Sequence, residues 1–138
     1  MNNKTGLVLF AHGARDPRWA APFEAVAARL RSTRPGTPLC LAFLEIMSPT
    51  LAEAGTQLAA QGCTRVEVMP LFLGTGGHVR NDLPLLLDAL RAAHPGVLFT
   101  LHTAVGEISS VIDAMAAAAA ATLDSLAANS FGSMDDTP

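Results

Sequence analysis

Four side chains with useful chemistry stand at or just past the ends of short apolar stretches of the sequence. They are His12, Glu45, His78 and His102. Imidazole and carboxylate groups bind first-row divalent metals, and a neutral imidazole also accepts protons near neutral pH. Neither cysteine of the chain joins this set, which argues against a closed structural zinc site. The combination favours a site that holds a divalent metal loosely and hands it on.

The stretch 71–82 concentrates this chemistry. It holds three glycines within four residues, which permit backbone angles that other residues avoid and let a ligand approach the main chain. His78 closes the loop, ahead of leucines at helical spacing over residues 83–93, with Pro84 tolerated in the first helical turn. A histidine between a buried strand and a helix lies where open α/β folds bind ligands. A surface histidine in a flexible turn remains the alternative.

Strand and helix patterns alternate four times along the chain. The predicted strands cover residues 7–11, 39–44, 65–72 and 97–102, and the predicted helices cover 16–32, 48–62, 83–93 and 108–128. Asp16-Pro17 and Ser48-Pro49 are predicted helix starts, each with a capping side chain before proline. This alternation predicts an α/β fold: an open, parallel, four-stranded, flavodoxin-like sheet with helices on both faces. All four strands then end at one edge, so the four polar residues would form a cluster there.

Length and composition describe one small domain. We expect a single domain over residues 1–128 and a frayed, disordered tail over 129–138. Half of the 138 residues are hydrophobic, but no apolar run approaches the roughly 18 residues of a membrane span, so we expect a soluble protein without a membrane partner. The N-terminus lacks a secretory pattern, which predicts a cytoplasmic location. The net charge of −3 argues against nucleic acid as a partner, and Cys40 and Cys63 are expected to be reduced, packed thiols.

Several of the polar residues also have simpler interpretations. For His12 the alternative is a helix cap, for Glu45 a solvated strand end or a pair with an arginine, and for His102 a hydrogen bond to a carbonyl. Arg15 and Arg80 follow the two loop histidines by three and two residues, so they could hold an anionic ligand or remain solvated surface arginines. His94 lies in the last turn of a helix, and we interpret it as structural.

Five short segments resemble, in order and spacing, the short CbiX-type sirohydrochlorin chelatases, over about residues 6–125. The segments are residues 10–17, 42–45 with Pro49, 70–73, 77–79 and 82–84. The resemblance implies a class II chelatase that inserts cobalt or ferrous iron, with nickel as a further option, into sirohydrochlorin for cobalamin or siroheme synthesis, with no cofactor beyond that metal. It implies that His12 and His78 are metal ligands, with His12 as proton acceptor. Ala14 departs from the serine common in the family, and a histidine-rich tail is absent.

The resemblance also implies which residues contact the substrate. The loop that contacts it consists of Leu73, Gly74, Thr75, Gly76 and Gly77. Metallation must remove two pyrrole protons, and Glu45 could take the second or orient an imidazole. Peripheral carboxylates would bind Arg15, Arg80 and the amides of the helix start capped by Ser48. One domain can cover only one face of a macrocycle, so we expect a homodimer whose histidine-bearing edges face each other.

Two other functional classes stay open. The pattern strand-His-Gly-x-Arg is shared with histidine phosphatases, although those enzymes have an arginine immediately before the histidine, where this chain has Ala11. A non-catalytic carrier of metal or tetrapyrrole would use the same histidines without turnover. Metal-dependent loss of the absorbance of free sirohydrochlorin separates the three classes.

Overall fold

A computed structural model describes residues 3–134 of the chain, with side-chain surroundings for residues 3–127. The strands are β1 (Thr5–Ala11), β2 (Leu39–Phe43), β3 (Arg65–Pro70) and β4 (Leu98–Leu101). The helices are α1 (Ala21–Thr33), α2 (Leu51–Ala60), α3 (Gly77–Ala93) and α4 (Ser109–Met134). Short 3₁₀ helices precede α1 and α4, at Pro17–Ala20 and Val105–Glu107.

The four strands form one parallel sheet in the order β2-β1-β3-β4. β1 lies in the interior of the sheet, which explains its continuous apolar sequence: a strand covered on both faces has no solvent side to make polar. The predicted α/β fold with a parallel four-stranded sheet is therefore confirmed.

The sheet has two differently covered faces. On one, Val8, Phe10 and Val68 pack with the apolar sides of α2 and α3 in the main core. On the other, Ala11 and Phe43 pack with Ala20 just before α1, beside the aromatic rings at its start. Neighbouring residues of a strand point to opposite faces, so alternate side chains serve the two layers. Helices do lie on both faces, as predicted.

α4 is the exception to this packing. Nearly all of its side chains that the structure describes are exposed. Leu123, for example, is 66% exposed and Leu126 is 64% exposed. The sheet face that carries α1 is also incompletely covered at its far edge, since Leu98 on β4 is 54% exposed. The segment Ser109–Ala127 has a mean hydropathy of 1.3 over a membrane-spanning length, with none of it buried. The expectation that no such apolar run exists was wrong, because alanines make this helix apolar without giving it a distinct buried face.

Two helices begin elsewhere than predicted. α3 starts at Gly77 rather than residue 83, because Val79 already packs on the main core and extends the buried stripe toward the N-terminus. His78 therefore lies in the first turn of α3, and Pro84 lies inside the helix rather than in that turn.

α4 ends later than predicted. It continues to Met134, beyond the predicted end at residue 128, and residues 135–138 of the predicted tail lie outside the described residues.

α2 starts after, not at, the predicted Ser48-Pro49. Thr50 is its N-cap and forms a capping box with Glu53, in which each side chain accepts from the other residue's backbone N–H. Ser48 and Pro49 precede the cap and are joined by a cis peptide bond. The prediction that Ser48 caps the helix was therefore wrong.

Candidate functional site

His12 and Glu45 meet at the carboxyl edge of the sheet. The ladder between β1 and β2 continues past both strand ends, with the Leu44 N–H donating to Ala11 at 2.9 Å and the Glu45 N–H to His12 at 3.1 Å. This brings His12 Nε2 to 3.0 Å from Glu45 Oε1. The two side chains are 48% and 56% exposed, so the pair stays accessible to a ligand. The predicted neighbourhood of these two residues is present.

Gly13 makes this close approach possible. Its φ is +97°, in the region that favours glycine, and a Cβ at this position would collide with the carbonyl oxygen of Glu45. Three residues on, Asp16 caps the 3₁₀ helix, accepting from the Arg18 backbone N–H at 2.9 Å and from its guanidinium at 2.8 Å. These hydrogen bonds, the guanidinium's first, lower the pKa of the Asp16 carboxyl. The turn that carries His12 is therefore fixed at both ends.

An aromatic ring supports His12 from the neighbouring strand. Phe72 follows β3 and is 7% exposed, and its ring centroid lies 6.2 Å from that of His12 at an interplanar angle of 71°. Phe10 packs on the other side of this contact, 5.9 Å from Phe72. Sequence reasoning missed Phe72 as a site residue, because an apolar residue at the end of an apolar run has no signal that separates it from the core.

The glycine-rich loop begins from an anchored point and then opens. The Gly106 N–H donates to the Phe72 carbonyl at 3.0 Å, and a Cβ on Gly106 would collide with the backbone of Leu73. Beyond that point the loop glycines do not need glycine's backbone freedom, since none of the three has a positive φ. A Cβ at any of them, Gly74, Gly76 or Gly77, would meet only open space. The prediction that these glycines are needed for unusual backbone angles was wrong. The open space around them still leaves room for a ligand.

His78 is the second residue of α3 and is exposed. The N-cap, Gly76, supplies no side-chain hydrogen bond, so the first amides of this helix are not capped by a side chain. In the described part of the chain, no hydrogen bond or ion pair links the His78 side chain to His12 or Glu45. The second predicted metal ligand is thus far less constrained than the first.

The two candidate arginines, Arg15 and Arg80, are both exposed. Arg80 Nη2 lies 3.5 Å from Thr75 Oγ1, at a cavity of about 240 Å³ beneath the loop. For residues 3–127, no carboxylate is within 4.0 Å of Arg15 or Arg80. Both guanidinium groups are therefore available to an anionic ligand.

His102 does not join the predicted cluster. Its Nε2 lies 2.6 Å from Glu67 Oε2, a carboxylate on β3 that is only 28% exposed. Within the described residues, no group of three histidine, cysteine, aspartate or glutamate side chains is arranged to hold a metal. The four polar residues thus separate into the His12–Glu45 pair, the His102–Glu67 pair and a lone His78. Glu67 was missed because a single acidic residue inside a strand is usually a solvated one.

No hydrogen bond in the described residues links Ser48 or His94 to the His12–Glu45 pair. Ser48 lines a cavity of about 400 Å³ at the β2 edge, together with Arg31 and Gln57. Since Ser48 does not cap α2, the reason for placing it in the substrate site is lost. His94 ends α3, and its Nε2 lies 3.3 Å from Thr56 Oγ1 on α2.

Comparison with known proteins identifies chains that are similar to this one. A family model described as CbiX matches residues 6–122. A sirohydrochlorin cobaltochelatase of Saccharolobus islandicus is 37% identical over 82 residues, which are 59% of this chain but only 62% of that protein. A crystal structure of a CbiX protein from Marinobacter aquaeolei VT8 gives a TM-score of 0.75 at 29% identity, covering 87% of this chain and 98% of that one.

A longer chain shares the fold as well. The sirohydrochlorin chelatase SirB from Bacillus subtilis subspecies spizizenii, solved in complex with cobalt, gives a TM-score of 0.66 at 24% identity. The similarity covers 80% of this chain and 47% of SirB, so the present fold corresponds to about half of the longer chain.

Proposed function

This chain belongs to the CbiX family, and from that premise we propose that it is a chelatase that inserts a divalent metal into sirohydrochlorin. Cobalt, ferrous iron and nickel are the candidate metals, because imidazole ligands suit all three. The observation that carries the proposal is the His12–Glu45 pair, 3.0 Å apart and half exposed at the open edge of a parallel sheet. An accessible imidazole held by a carboxylate suits the removal of pyrrole protons.

The pair supplies a defined proton acceptor. When His12 Nε2 carries its hydrogen and donates to Glu45, Nδ1 is left as the acceptor. A pyrrole proton taken by Nδ1 creates an imidazolium, which the adjacent carboxylate stabilises. Glu45 is in this way the residue that selects the tautomer of His12 and offsets its charge.

The metal is a substrate, and its proposed ligands are His78 and His12, the latter through Nδ1 before that atom takes up a proton. Two imidazoles leave most coordination positions of a divalent ion to water and then to the ring nitrogens, which suits transfer rather than storage. The exposed position of His78 on an uncapped helix start allows it to reach a ligand at the same edge. Arg15 and Arg80 would bind the peripheral carboxylates, and the open loop glycines leave room for the macrocycle.

Phosphoryl transfer is the less favourable use of the same histidine. A histidine that attacks phosphate must approach an anion, but His12 has the Glu45 carboxylate at 3.0 Å. The position before it is Ala11, fully buried in the sheet, where histidine phosphatases have an arginine. The negative charge of Glu45 beside His12 therefore disfavours attack on a phosphate and supports chelation.

The direct test follows the absorbance of metal-free sirohydrochlorin after addition of Co²⁺, Fe²⁺ or Ni²⁺. We expect repeated, metal-dependent turnover above the rate without protein. Consumption limited to one equivalent per chain would indicate a carrier. Hydrolysis of a phosphate ester with no effect on the macrocycle would instead indicate a phosphatase.

We also propose that the working unit is a homodimer with a cleft shared between the histidine-bearing edges. α4 leaves the sheet at this edge and is about 39 Å long at the usual rise per residue, so it extends beyond its own domain. Among the described residues, the side chains of α4 are mostly exposed, and the sheet also has an exposed apolar side chain, Leu98. A two-fold axis lets each copy's α4 cover the other copy's sheet, because such an interface is self-complementary.

The dimer is tested by light scattering. We expect a mass about twice the 14.3 kDa of one chain. Met115→Glu places a charge on the exposed face of α4 and should favour monomers, whereas Leu85→Glu on the outer side of α3 should not. A fully active wild-type monomer, or a dimer whose interface leaves His12 far from the partner, would contradict the shared cleft.

We propose that the protein works in the cytoplasm and that a second copy, not lipid, covers α4. Cys40 and Cys63 are free and buried, and burial raises the pKa of both thiols, which suits a reducing compartment. Flotation with lipid vesicles tests the alternative: a protein that rises with the vesicles through α4 would contradict this location.

A further inference from the structure

Ile46, directly after Glu45, has an unusual backbone conformation. Its φ is +70°, and the Met47 N–H donates to the Glu45 carbonyl at 2.7 Å, closing a three-residue turn around Ile46. A β-branched residue in this region is a true outlier, because its branched Cβ crowds the backbone. In the described residues, Ile46 is the one residue other than glycine with a positive φ.

Packing within the chain does not account for this conformation. Ile46 belongs to neither hydrophobic cluster, and it is 63% exposed. Glycine or asparagine would form the same turn with less strain. Strained backbone that no internal contact requires is found at ligand-binding sites, where the side chain itself is needed.

The position of Ile46 indicates which ligand it serves. It adjoins Glu45, whose carboxylate contacts His12 on one side, and Leu73 adjoins Phe72, whose ring contacts His12 on the other. Leu73 is 67% exposed, so a residue with an exposed, large apolar side chain directly follows each of the two residues that contact His12. A flat ligand that is apolar at its centre and charged at its rim matches exposed apolar residues near a proton acceptor, together with the exposed arginines Arg15 and Arg80.

We propose that Ile46 is a substrate-contacting residue that packs against the apolar face of the tetrapyrrole and, with Leu73, sets the position of the ring over His12. This inference rests on the proposed function. The strained turn keeps the side chain at the edge of the sheet, where a more relaxed residue would provide no apolar surface.

The test compares three variants by titration of metal-free sirohydrochlorin, steady-state kinetics and thermal unfolding. Ile46→Asn, which tolerates a positive φ, should raise both Kd and KM roughly tenfold, as expected for loss of a partly buried apolar contact, without lowering the Tm. Ile46→Leu keeps the apolar surface and should stay within about twofold of wild type. Leu85→Asn is the matched control, since Leu85 is 66% exposed on α3, and it should leave Kd and KM unchanged.

The outcomes separate this inference from the proposed function. If wild type turns over sirohydrochlorin and Ile46→Asn binds it equally well, the substrate contact is refuted while the chelatase remains. If wild type neither binds nor metallates sirohydrochlorin, the proposed function fails and the inference fails with it. Should Ile46→Asn not fold, Ile46→Thr keeps the branched shape with a polar group, and an unchanged Kd for it would refute the contact.

Discussion

The two loop histidines occupy junctions of opposite character. At the first, Gly13 packs on the backbone of Glu45, a capping aspartate fixes the next turn, and His12 is hydrogen-bonded. At the second, the loop glycines face open space and His78 stands on a helix start without a side-chain cap. A proton acceptor must be oriented, whereas a group that receives and releases a metal must move, so the difference agrees with the proposal that His12 is the proton acceptor and His78 the more mobile metal ligand.

The largest expected effect comes from removing either histidine. His12→Ala and His78→Ala should each lower the rate of sirohydrochlorin metallation by about 100-fold to 10,000-fold, the usual contribution of a general base, with the fold retained. Circular dichroism checks the fold and absorbance checks the rate. His94→Ala is the control and should change the rate little, because His94 contacts Thr56 instead. A near-native rate in either folded variant would exclude that histidine from the mechanism.

The second largest expected effect is a difference in stability between replacing the glycine of the first junction and replacing a loop glycine of the second. Gly13→Ala should destabilise the fold by about 2–4 kcal/mol, because it combines a positive φ with a collision against backbone. Gly74→Ala meets open space and should change the free energy of unfolding by less than about 1 kcal/mol. Urea unfolding of both variants measures the contrast. Equal losses would mean that the second junction is as constrained as the first.

A smaller effect separates proton transfer from substrate anchoring. Glu45→Gln should lower kcat about tenfold with little change in KM, because a proton-transfer partner acts in the transition state. Arg80→Ala should chiefly raise KM, since a group that binds carboxylate acts in the ground state as well. Steady-state kinetics with sirohydrochlorin distinguishes the two, and the reverse pattern would exchange their roles.

The smallest effect concerns the cap of the first junction. Hydrogen bonds from Arg18 lower the pKa of Asp16 below its ordinary value of 3.8, so this carboxylate stabilises the fold above that pH. The contribution is lost as the pH falls through the lowered pKa. Because the group is exposed, Asp16→Asn should reduce the Tm only slightly at pH 7, and the difference should vanish in strong acid. A difference that grows on acidification would contradict this sign.

The sequence was sufficient for the sheet and for one of the paired contacts. Apolar runs mark strands covered on both faces, and parallel strands end at one edge, so His12 and Glu45 could be placed together before any coordinates. The pairing of His102 with Glu67 could not, because it depends on which face of β4 the ring occupies. The start of α3 was also missed, since glycines conceal a helix that Val79 extends through packing.

Pro84 makes the first turn of α3, at the second junction, easier to bend. It lies inside α3 and has no N–H, so the carbonyl of Arg80 cannot accept the usual bond from four residues further on. The segment from Gly77 to Arg80, which carries His78, is thus joined to the rest of α3 by fewer hydrogen bonds than an unbroken helix would provide. Bending at this proline changes the angle of the first turn at a low energetic cost, while the core-packed remainder of the helix keeps its place.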